Sequence, residues 1–430
     1  MSSICVHGLG YIGLPTAAMF ANYGHDVVGF DVNDQLVSEL NSGEIRIDEP
    51  GLRAFVNQAL DSSQLTVDDE IPSAEYHIIC VPTPLDDETK RVNLSAVEEA
   101  AAGIAPTLRT GDTVILESTV PPGTTVSTVK PILERSGHSA GEDVALVHCP
   151  ETVMPGNIIT ELTENERIIG GVNGVSTAAA VRLYESFVES EIRTMVDATT
   201  AEFVKLIQNT YRDANIALAN EIAKLAADYG VDSREAIQLA NTHPRVDIHQ
   251  PGPGVGGHCL PIDPWFLGHD SNKVDLIAHA REVNDGMAGY IVDLLEGALG
   301  SVTEQKIAIL GVAYKGGVSD TRMSPGLHLA EELQDRALNE PAVEARTDGD
   351  SPVQVSLHDP QVTDQTLALE TLEEAVLDAD AIVVTTDHSE YESLDPSSIA
   401  QKMSGNVVVD TRAVLDEADW EAADLAPIRV

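Results

Sequence analysis

The sequence predicts an α/β protein: two doubly wound units of parallel sheet joined by a central helical segment with one long helix. Three observations carry this. Near the N-terminus an apolar strand runs directly into a glycine turn, a helix, a second strand and an acid. Over residues 200–229 a helical pattern persists for roughly 45 Å. After Gly300 a second series of short apolar strands opens at Lys306. The expected boundaries are 1–195, 196–300 and 301–430.

In the first part, residues 4–7 form the opening strand. Gly8, Gly10 and Gly13 follow, with Tyr11 and Ile12 between them. A helix over 14–23, a strand over 27–30 and Asp31 complete the context that a dinucleotide-binding Rossmann turn requires. The first glycine permits the turn, the second lets a pyrophosphate approach, and the third lets helix and strand pack closely. The helix N-terminus then faces the phosphates. Asp31 suits the ribose hydroxyls and repels a 2′-phosphate, which favours NAD over NADP. Strands over 76–81, 113–116 and 144–148 end in polar or proline-rich loops. Ligands of open α/β sheets sit outside the carboxyl ends of strands, so Thr83, Thr119 and Glu151 are candidate site residues. Ordinary turn chemistry would explain any one of them alone. Cys5, Cys80 and Cys149 read as core filling.

The middle segment opens with the long helix, which Thr199 or Thr200 can cap and Gly230 can stop. Such a helix, apolar over most of its surface, needs cover on several sides, and an oligomer interface is one solution. Lys205, Asn209 and Arg212 recur at spacings of four and three and so share a stripe. That stripe faces either solvent or a pocket. The segment from Asn241 to His249 offers His243 and Arg245 to an anion, or leaves them as inert surface. Next comes a loop from Pro251 to Pro264 with four glycines and four prolines, which cannot be helix or inner strand. Its bare glycines bring backbone N–H groups close to a ligand. Cys259 lies within it, after His258 and before Asp263. Two readings stand for this cysteine: a small buried hydrophobe, or a nucleophile whose thiolate a nearby lysine would stabilise. Residues 273–296 read as one or two helices.

The third part has strands over 306–310, 353–358, 381–386 and 406–410. Its first loop, from Gly311 to Arg322, lacks the three-glycine spacing. Lys315 and Arg322 there suit phosphate or carboxylate better than a second dinucleotide. Residues 337–352 read as an exposed surface loop.

Acidic residues number 70 against 25 basic ones, a net charge of -45 spread along the chain. Such an excess repels itself at low salt and is screened at molar salt, where the Debye length falls to about 3 Å. We therefore expect a halophilic protein that loses structure when desalted. Nucleic-acid binding, which needs basic patches, is excluded. The four cysteines make no C-x-x-C pair and no disulfide framework. There is no signal-peptide pattern and no apolar run able to span a bilayer, so the expected location is cytoplasmic, with no membrane partner.

Taken together, the motifs resemble the UDP-glucose/GDP-mannose dehydrogenase family over essentially the whole chain. They are the Gly8 to Gly13 turn with Asp31, Val81-Pro-Thr-Pro84, Glu117-Ser-Thr-Val-Pro-Pro-Gly-Thr124, Lys205 with Asn209, Gly252-Pro-Gly-Val-Gly-Gly-His-Cys259, Asp263, Ala313-Tyr-Lys315 and Asp320-Thr-Arg-Met-Ser-Pro325. Pro155-Gly156, Arg167-Ile-Ile-Gly-Gly171, Tyr211-Arg-Asp-Ala-Asn215 and His243-Pro-Arg245 look like the branch that acts on UDP-N-acetyl-D-mannosamine. That branch usually has Arg after Pro150-Glu151, where this chain has Thr152. The resemblance implies oxidation of C6 of a UDP-sugar from alcohol to carboxylate with two NAD+ in succession. Cys259 would hold the intermediate aldehyde as a thiohemiacetal and then as a thioester. Lys205 and Asn209 would hold oxyanions. Asp263 and Glu151 would handle protons and water. It further implies that Thr119 and Arg322 lie near the cofactor. Thr152, Val153, Arg212, His243, Arg245, Gly256, Tyr314, Lys315 and Arg412 would lie near the UDP-sugar, in a homodimer or higher homo-oligomer. The resemblance places the chain in polysaccharide biosynthesis. Other readings are a UDP-glucose or UDP-N-acetylglucosamine 6-dehydrogenase, a two-electron dehydrogenase in which Cys259 is structural, and a non-catalytic NAD- and nucleotide-binding regulator.

Overall fold

The computed structural model describes residues 1–47, 49–86, 88–339 and 352–430. The surface loop expected over 337–352 thus lies almost wholly outside the described residues. The chain divides into two compact units: residues 1–208 with 265–272, and residues 209–264 with 273–430.

The first unit is built on an eight-stranded sheet. Its strands are β1 (Ser3–His7), β2 (Asp26–Phe30), β3 (Leu65–Asp68), β4 (Tyr76–Ile79), β5 (Thr113–Leu116), β6 (Ala145–His148), β7 (Arg167–Gly171) and β8 (Ile192–Thr194). They lie in the order β3-β2-β1-β4-β5-β6-β7-β8. Pairing is parallel except between β6 and β7. Strand β1 sits between β2 and β4, with Ile4 opposite both Val27 and Tyr76. The strand order reverses there, which opens a crevice at the carboxyl ends of β1 and β4. The helix Gly13–Asn22 buries Leu14, Ala17, Ala18, Phe20 and Ala21 against Ile4, Val6 and Val27. Burying a side chain the size of Phe20 contributes about 1.5–3 kcal/mol. On another side of the unit, Ile79, Val114, Leu116 and Leu146 pack with Val97 and Ile104. Strands β3, β7 and β8 were not expected. Strand β7 starts on an arginine and ends on two glycines, and β8 is three residues long, so neither carries an apolar pattern.

The second unit holds a five-stranded, all-parallel sheet of β9 (Lys306–Leu310), β10 (Gln354–His358), β11 (Ala381–Val384), β12 (Val407–Asp410) and β13 (Ala426–Arg429). The order β10-β9-β11-β12-β13 repeats that of β2-β1-β4-β5-β6. Helices Met287–Leu299 and Pro325–Leu338 bring Ile291, Leu295, Leu329 and Leu333 onto Val383 and Val409. Tyr391 and Trp420 belong to a second cluster with Ile382 and Val384.

The long helix runs over Ala198–Tyr229 and is followed by Ser233–Ala240. Its first part, through Gln208, belongs to the first unit and the rest to the second. The expected α/β architecture of two parallel-sheet units and a helical middle is what the chain adopts. Among the described residues, no helix is long and apolar enough to cross a membrane.

Candidate active site

In the first unit the glycine turn has the geometry a dinucleotide needs. Gly8 adopts φ +90°, open to glycine and rarely to other residues. A Cβ on Gly13 would lie 1.8 Å from the Gly8 carbonyl oxygen, so only glycine lets the helix start this close to the turn. Nothing lies within 4 Å of where a Cβ on Gly10 would sit, which leaves room for a ligand. Ile12, half-buried, precedes the first helical residue and offers no side-chain cap, so the positive end of the helix is left to an anion. Asp31 follows β2 and accepts from the Leu9 N–H at 2.8 Å. Tyr11 donates its hydroxyl to Glu49, which also accepts from the Gly156 N–H at 2.7 Å. The Thr83 hydroxyl donates to the Thr119 carbonyl at 2.8 Å, tying the loops after β4 and β5 together. The β5 loop is pinned again by Glu202 on the long helix, buried against the Thr125 N–H at 2.8 Å and hydroxyl at 2.6 Å. Burial pushes the Glu202 carboxyl up to about 7. These residues fit NAD.

The ends of β5 and β6 carry a buried ionic cluster. Glu151 is turned inward: one oxygen accepts from the N–H groups of Thr152 at 2.6 Å and Val153 at 2.9 Å. The other accepts from Arg167 at 2.7 Å. Arg167, only 1% exposed, also faces Glu117 at 3.5 Å and lies over the Tyr184 ring. Cys80 donates its thiol to Glu117 at 3.1 Å. The reading of Cys80 as mere filling therefore gives way to a hydrogen-bonded thiol. Cys5 and Cys149 are filling as expected, with burial pushing each thiol up to about 12.

In the second unit the glycine-rich loop is threaded against the loop that follows β9. The Gly257 N–H donates to the Arg322 carbonyl at 2.9 Å. A Cβ on Gly256 would meet the Met323 carbonyl at 2.5 Å, and one on Gly257 would meet the Tyr314 ring at 2.9 Å. Cys259 is exposed, and its carbonyl accepts from the Asp263 N–H at 2.8 Å. Asn209 and Asp263, both buried, are joined by a 2.6 Å hydrogen bond. Arg322 pairs with Asp320 through Nε at 2.9 Å, and the Cys259 sulfur contributes to the field that holds its charge. Arg412 donates to the Thr385 carbonyl at 3.1 Å and lies 3.2 Å from where a Cβ on Gly252 would sit.

The long helix carries its polar groups differently from the expected stripe. Asn209 is buried and Lys205, one turn earlier, is half-buried, but Arg212 is exposed. The neighbouring position, Asp213, is buried instead and accepts from Arg281 at 2.6 Å. Asn284 donates to Asp213 at 2.9 Å and accepts from Asn220, whose oxygen takes the Gly252 N–H at 2.8 Å. This chain anchors the start of the glycine-rich loop. Asp213 and Asn220 are seven residues apart, two turns on one face, a spacing that could have flagged them. Glu202 fits the same face. His243, Arg245 and Lys315 are exposed, and Thr152 and Val153 are half-buried beside Glu151.

A cradle for NAD in one unit, and in the other an exposed thiol on a glycine loop beside a buried Asn–Asp pair, define a nicotinamide-dependent oxidoreductase. Residues 2–188 match the NAD binding domain of the UDP-glucose/GDP-mannose dehydrogenase family, residues 199–286 its central domain and residues 308–417 its UDP binding domain. The chain belongs to this family. It is 43% identical over 98% of its length, and 95% of the relative's, to a UDP-N-acetyl-D-mannosamine dehydrogenase of Methanococcus maripaludis. To the enzyme of that name from Pyrococcus horikoshii it is 44% identical, over 96% of each chain. A solved structure of the Pyrococcus horikoshii UDP-D-ManNAc dehydrogenase is similar with a TM-score of 0.89, covering 100% of this chain and 99% of that one at 42% identity. The Staphylococcus aureus UDP-N-acetyl-mannosamine dehydrogenase gives 0.85 at 40% identity, covering 100% and 98%.

Proposed function

We propose that this NAD-dependent dehydrogenase converts UDP-N-acetyl-D-mannosamine to UDP-N-acetyl-D-mannosaminuronate, a four-electron oxidation at C6. The single observation that carries the choice of sugar is the identity of 43–44% with relatives so named, over 96–98% of the chain. NAD, bound at the Gly8–Gly13 turn and Asp31, supplies the hydride acceptor for each of the two oxidations. The first oxidation leaves an aldehyde and releases a proton. The Cys259 sulfur adds to that aldehyde carbon, and the carbonyl oxygen takes up a proton, giving a thiohemiacetal. Loss of a second hydride and a proton gives a thioester. Water then cleaves its carbon–sulfur bond, returning the thiol and releasing the acid. Lys205 and Asn209 stabilise the negative oxygen at each stage. The 2.6 Å bond to Asn209 orients Asp263 to order water or move a proton. Glu151 assists the hydrolysis. Thr119 serves the nicotinamide and Arg322 the cofactor. Thr152, Val153, Arg212, His243, Arg245, Gly256, Tyr314, Lys315 and Arg412 hold the UDP-sugar.

We assign the three functional domains to 1–195, 196–300 and 301–430, and a cytoplasmic location. A homodimer is supported by exposed apolar residues at Phe203, Ile207, Tyr211, Leu218 and Leu225, spaced by four or seven along one helix. The net charge of -45 supports a working medium of molar salt. The test is NAD+ reduction in molar KCl with a panel of UDP-N-acetyl-D-mannosamine, UDP-N-acetylglucosamine and UDP-glucose. The expected result is the highest kcat/KM on the first, and loss of activity on desalting. A higher value on either other sugar overturns the choice of sugar.

A further inference from the structure

Two carboxyl groups from different strand ends share one buried cation. Glu117, at the end of β5, and Glu151, after β6, both face Arg167 on β7, at 3.5 and 2.7 Å. Arg167 and Glu117 are almost completely shielded from water, and Glu151 is 7% exposed. The other titratable groups packed here are the thiols of Cys80 and Cys149 and the phenol of Tyr184. All three are neutral under ordinary conditions, since burial raises each. With one cation and two carboxylates, the cluster would keep an uncompensated buried negative charge, which is strongly unfavourable. One proton removes that charge.

We propose that Glu117 holds this proton and acts as the positioning residue for Glu151, forming with it a proton-sharing carboxyl pair. The geometry assigns the proton to Glu117. Glu151 receives two backbone N–H bonds and the shorter Arg167 contact, all of which favour its ionised form. Glu117 receives only the weak Cys80 thiol and the longer Arg167 contact, and its Oε1 accepts no hydrogen bond among the described residues. Proximity to the Glu151 carboxyl further favours the protonated form of Glu117. Burial, and next the Glu151 charge, push the Glu117 carboxyl up to about 8. While Glu117 is protonated, Glu151 keeps Arg167 and its backbone donors to itself. When Glu117 ionises, the two anions compete for Arg167 and Glu151 is displaced.

The inference rests on the role given above to Glu151, and the experiment separates the two. Infrared difference spectra of the whole protein in molar KCl, wild type against Glu117→Gln, need no turnover. The expected result is a buried carboxylic-acid C=O band that persists above pH 7, where the Glu202 carboxyl is already ionising, fades as pH rises past 8 and is missing in the variant. No such band in the wild type overturns the proposal, and this arm stands even if the variant fails to fold. The second arm is the pH profile of kcat for acid release. A group of pKa 8 is about one-eleventh protonated at pH 9, so the wild type should lose about tenfold in rate between pH 7 and 9, and Glu117→Gln should lose far less. Equal profiles overturn the positioning role. If Glu151→Gln releases acid at the wild-type rate while the band persists, the role of Glu151 in hydrolysis is what fails, and the positioning role falls with it.

Discussion

The two parallel sheets place the same local design at the same topological point and use it oppositely. In each, a strand ends in a glycine of positive φ, Gly8 at +90° after β1 and Gly311 at +111° after β9. In each, an acid after the neighbouring strand reaches back to the turn. From the turn Asp31 takes one N–H, of Leu9, besides that of Asn33 at 2.9 Å, and is itself half-exposed. The turn beside it has open space at Gly10. Asp359 is buried and takes two N–H groups from the turn, of Val312 at 2.7 Å and Ala313 at 2.9 Å, besides those of Gln361 and Val362, and pairs with His388 at 3.1 Å. The space at Gly311 is filled by Thr386, and that at Gly316 by the Asp387 backbone. One turn is built to receive a dinucleotide. The other is satisfied by its own chain, and what it offers outward are the exposed Lys315 and Arg322 on the loop beyond. The difference teaches that strand order does not assign a ligand; the free volume and free hydrogen-bonding capacity of the turn do.

Substitutions in the two turns test this contrast. The largest effect belongs to the glycines. Gly13→Ala puts a Cβ 1.8 Å from the Gly8 carbonyl oxygen, and its Kd for NAD should rise by about 100-fold or more, read by fluorescence titration. Gly311→Ala should cost about 2–3 kcal/mol of stability in chemical denaturation and leave the NAD Kd unchanged. Next come the acids. Asp359→Asn weakens charge-assisted bonds to buried donors and should cost about 2–3 kcal/mol of stability. Asp31→Asn should raise the Kd for NAD about tenfold, with little change in denaturation midpoint. A loss of NAD affinity in Asp359→Asn equal to that in Asp31→Asn would erase the distinction between the two turns.

A smaller effect is visible in how stability depends on pH. Burial raises Asp359, but the His388 and Ala313 hydrogen bonds outweigh it and hold the carboxyl below its usual 3.8. Its contribution is present above that value and is lost as pH falls through the native one. Glu117 runs the other way. Between 4.5 and about 8 the native chain keeps a proton that the unfolded chain has released, so stability falls as pH rises across that window. Relative to wild type, Glu117→Gln should therefore gain stability with rising pH, by about 1 kcal/mol between pH 7 and 8, and Asp359→Asn should lose less than wild type on acidification. Thermal unfolding at several pH values, in constant molar KCl, reads both slopes.

Much of this could be read from the residues in order. The β1 turn with Asp31 is legible because strand, glycines, helix and acid are contiguous. The loop around Cys259 is legible because its glycines and prolines forbid regular structure. Lys205 and Asn209 are legible from helical spacing, which also assigned Arg212 to the stripe where the buried position is Asp213. One residue is 100° of helix, and three polar residues spaced by four and three do not fix the phase to that accuracy. The Arg167–Glu117–Glu151 cluster was not legible. It joins residues from three strands, and nothing local distinguishes a buried arginine on β7 from a surface one. The same holds for the link from Arg281 through Asp213, Asn284 and Asn220 to Gly252, whose partners lie 64 or more residues apart along the helices and 32 along the last step.

The central claim is that Cys259 carries the aldehyde between two oxidations. Its most direct test is the yield of NADH from limiting UDP-N-acetyl-D-mannosamine in molar KCl, for the wild type and for Cys259→Ala. The account predicts two NADH per sugar with full conversion to the acid in the wild type, and no acid from the variant. One NADH per sugar, or acid formed at an undiminished rate by Cys259→Ala, would contradict it.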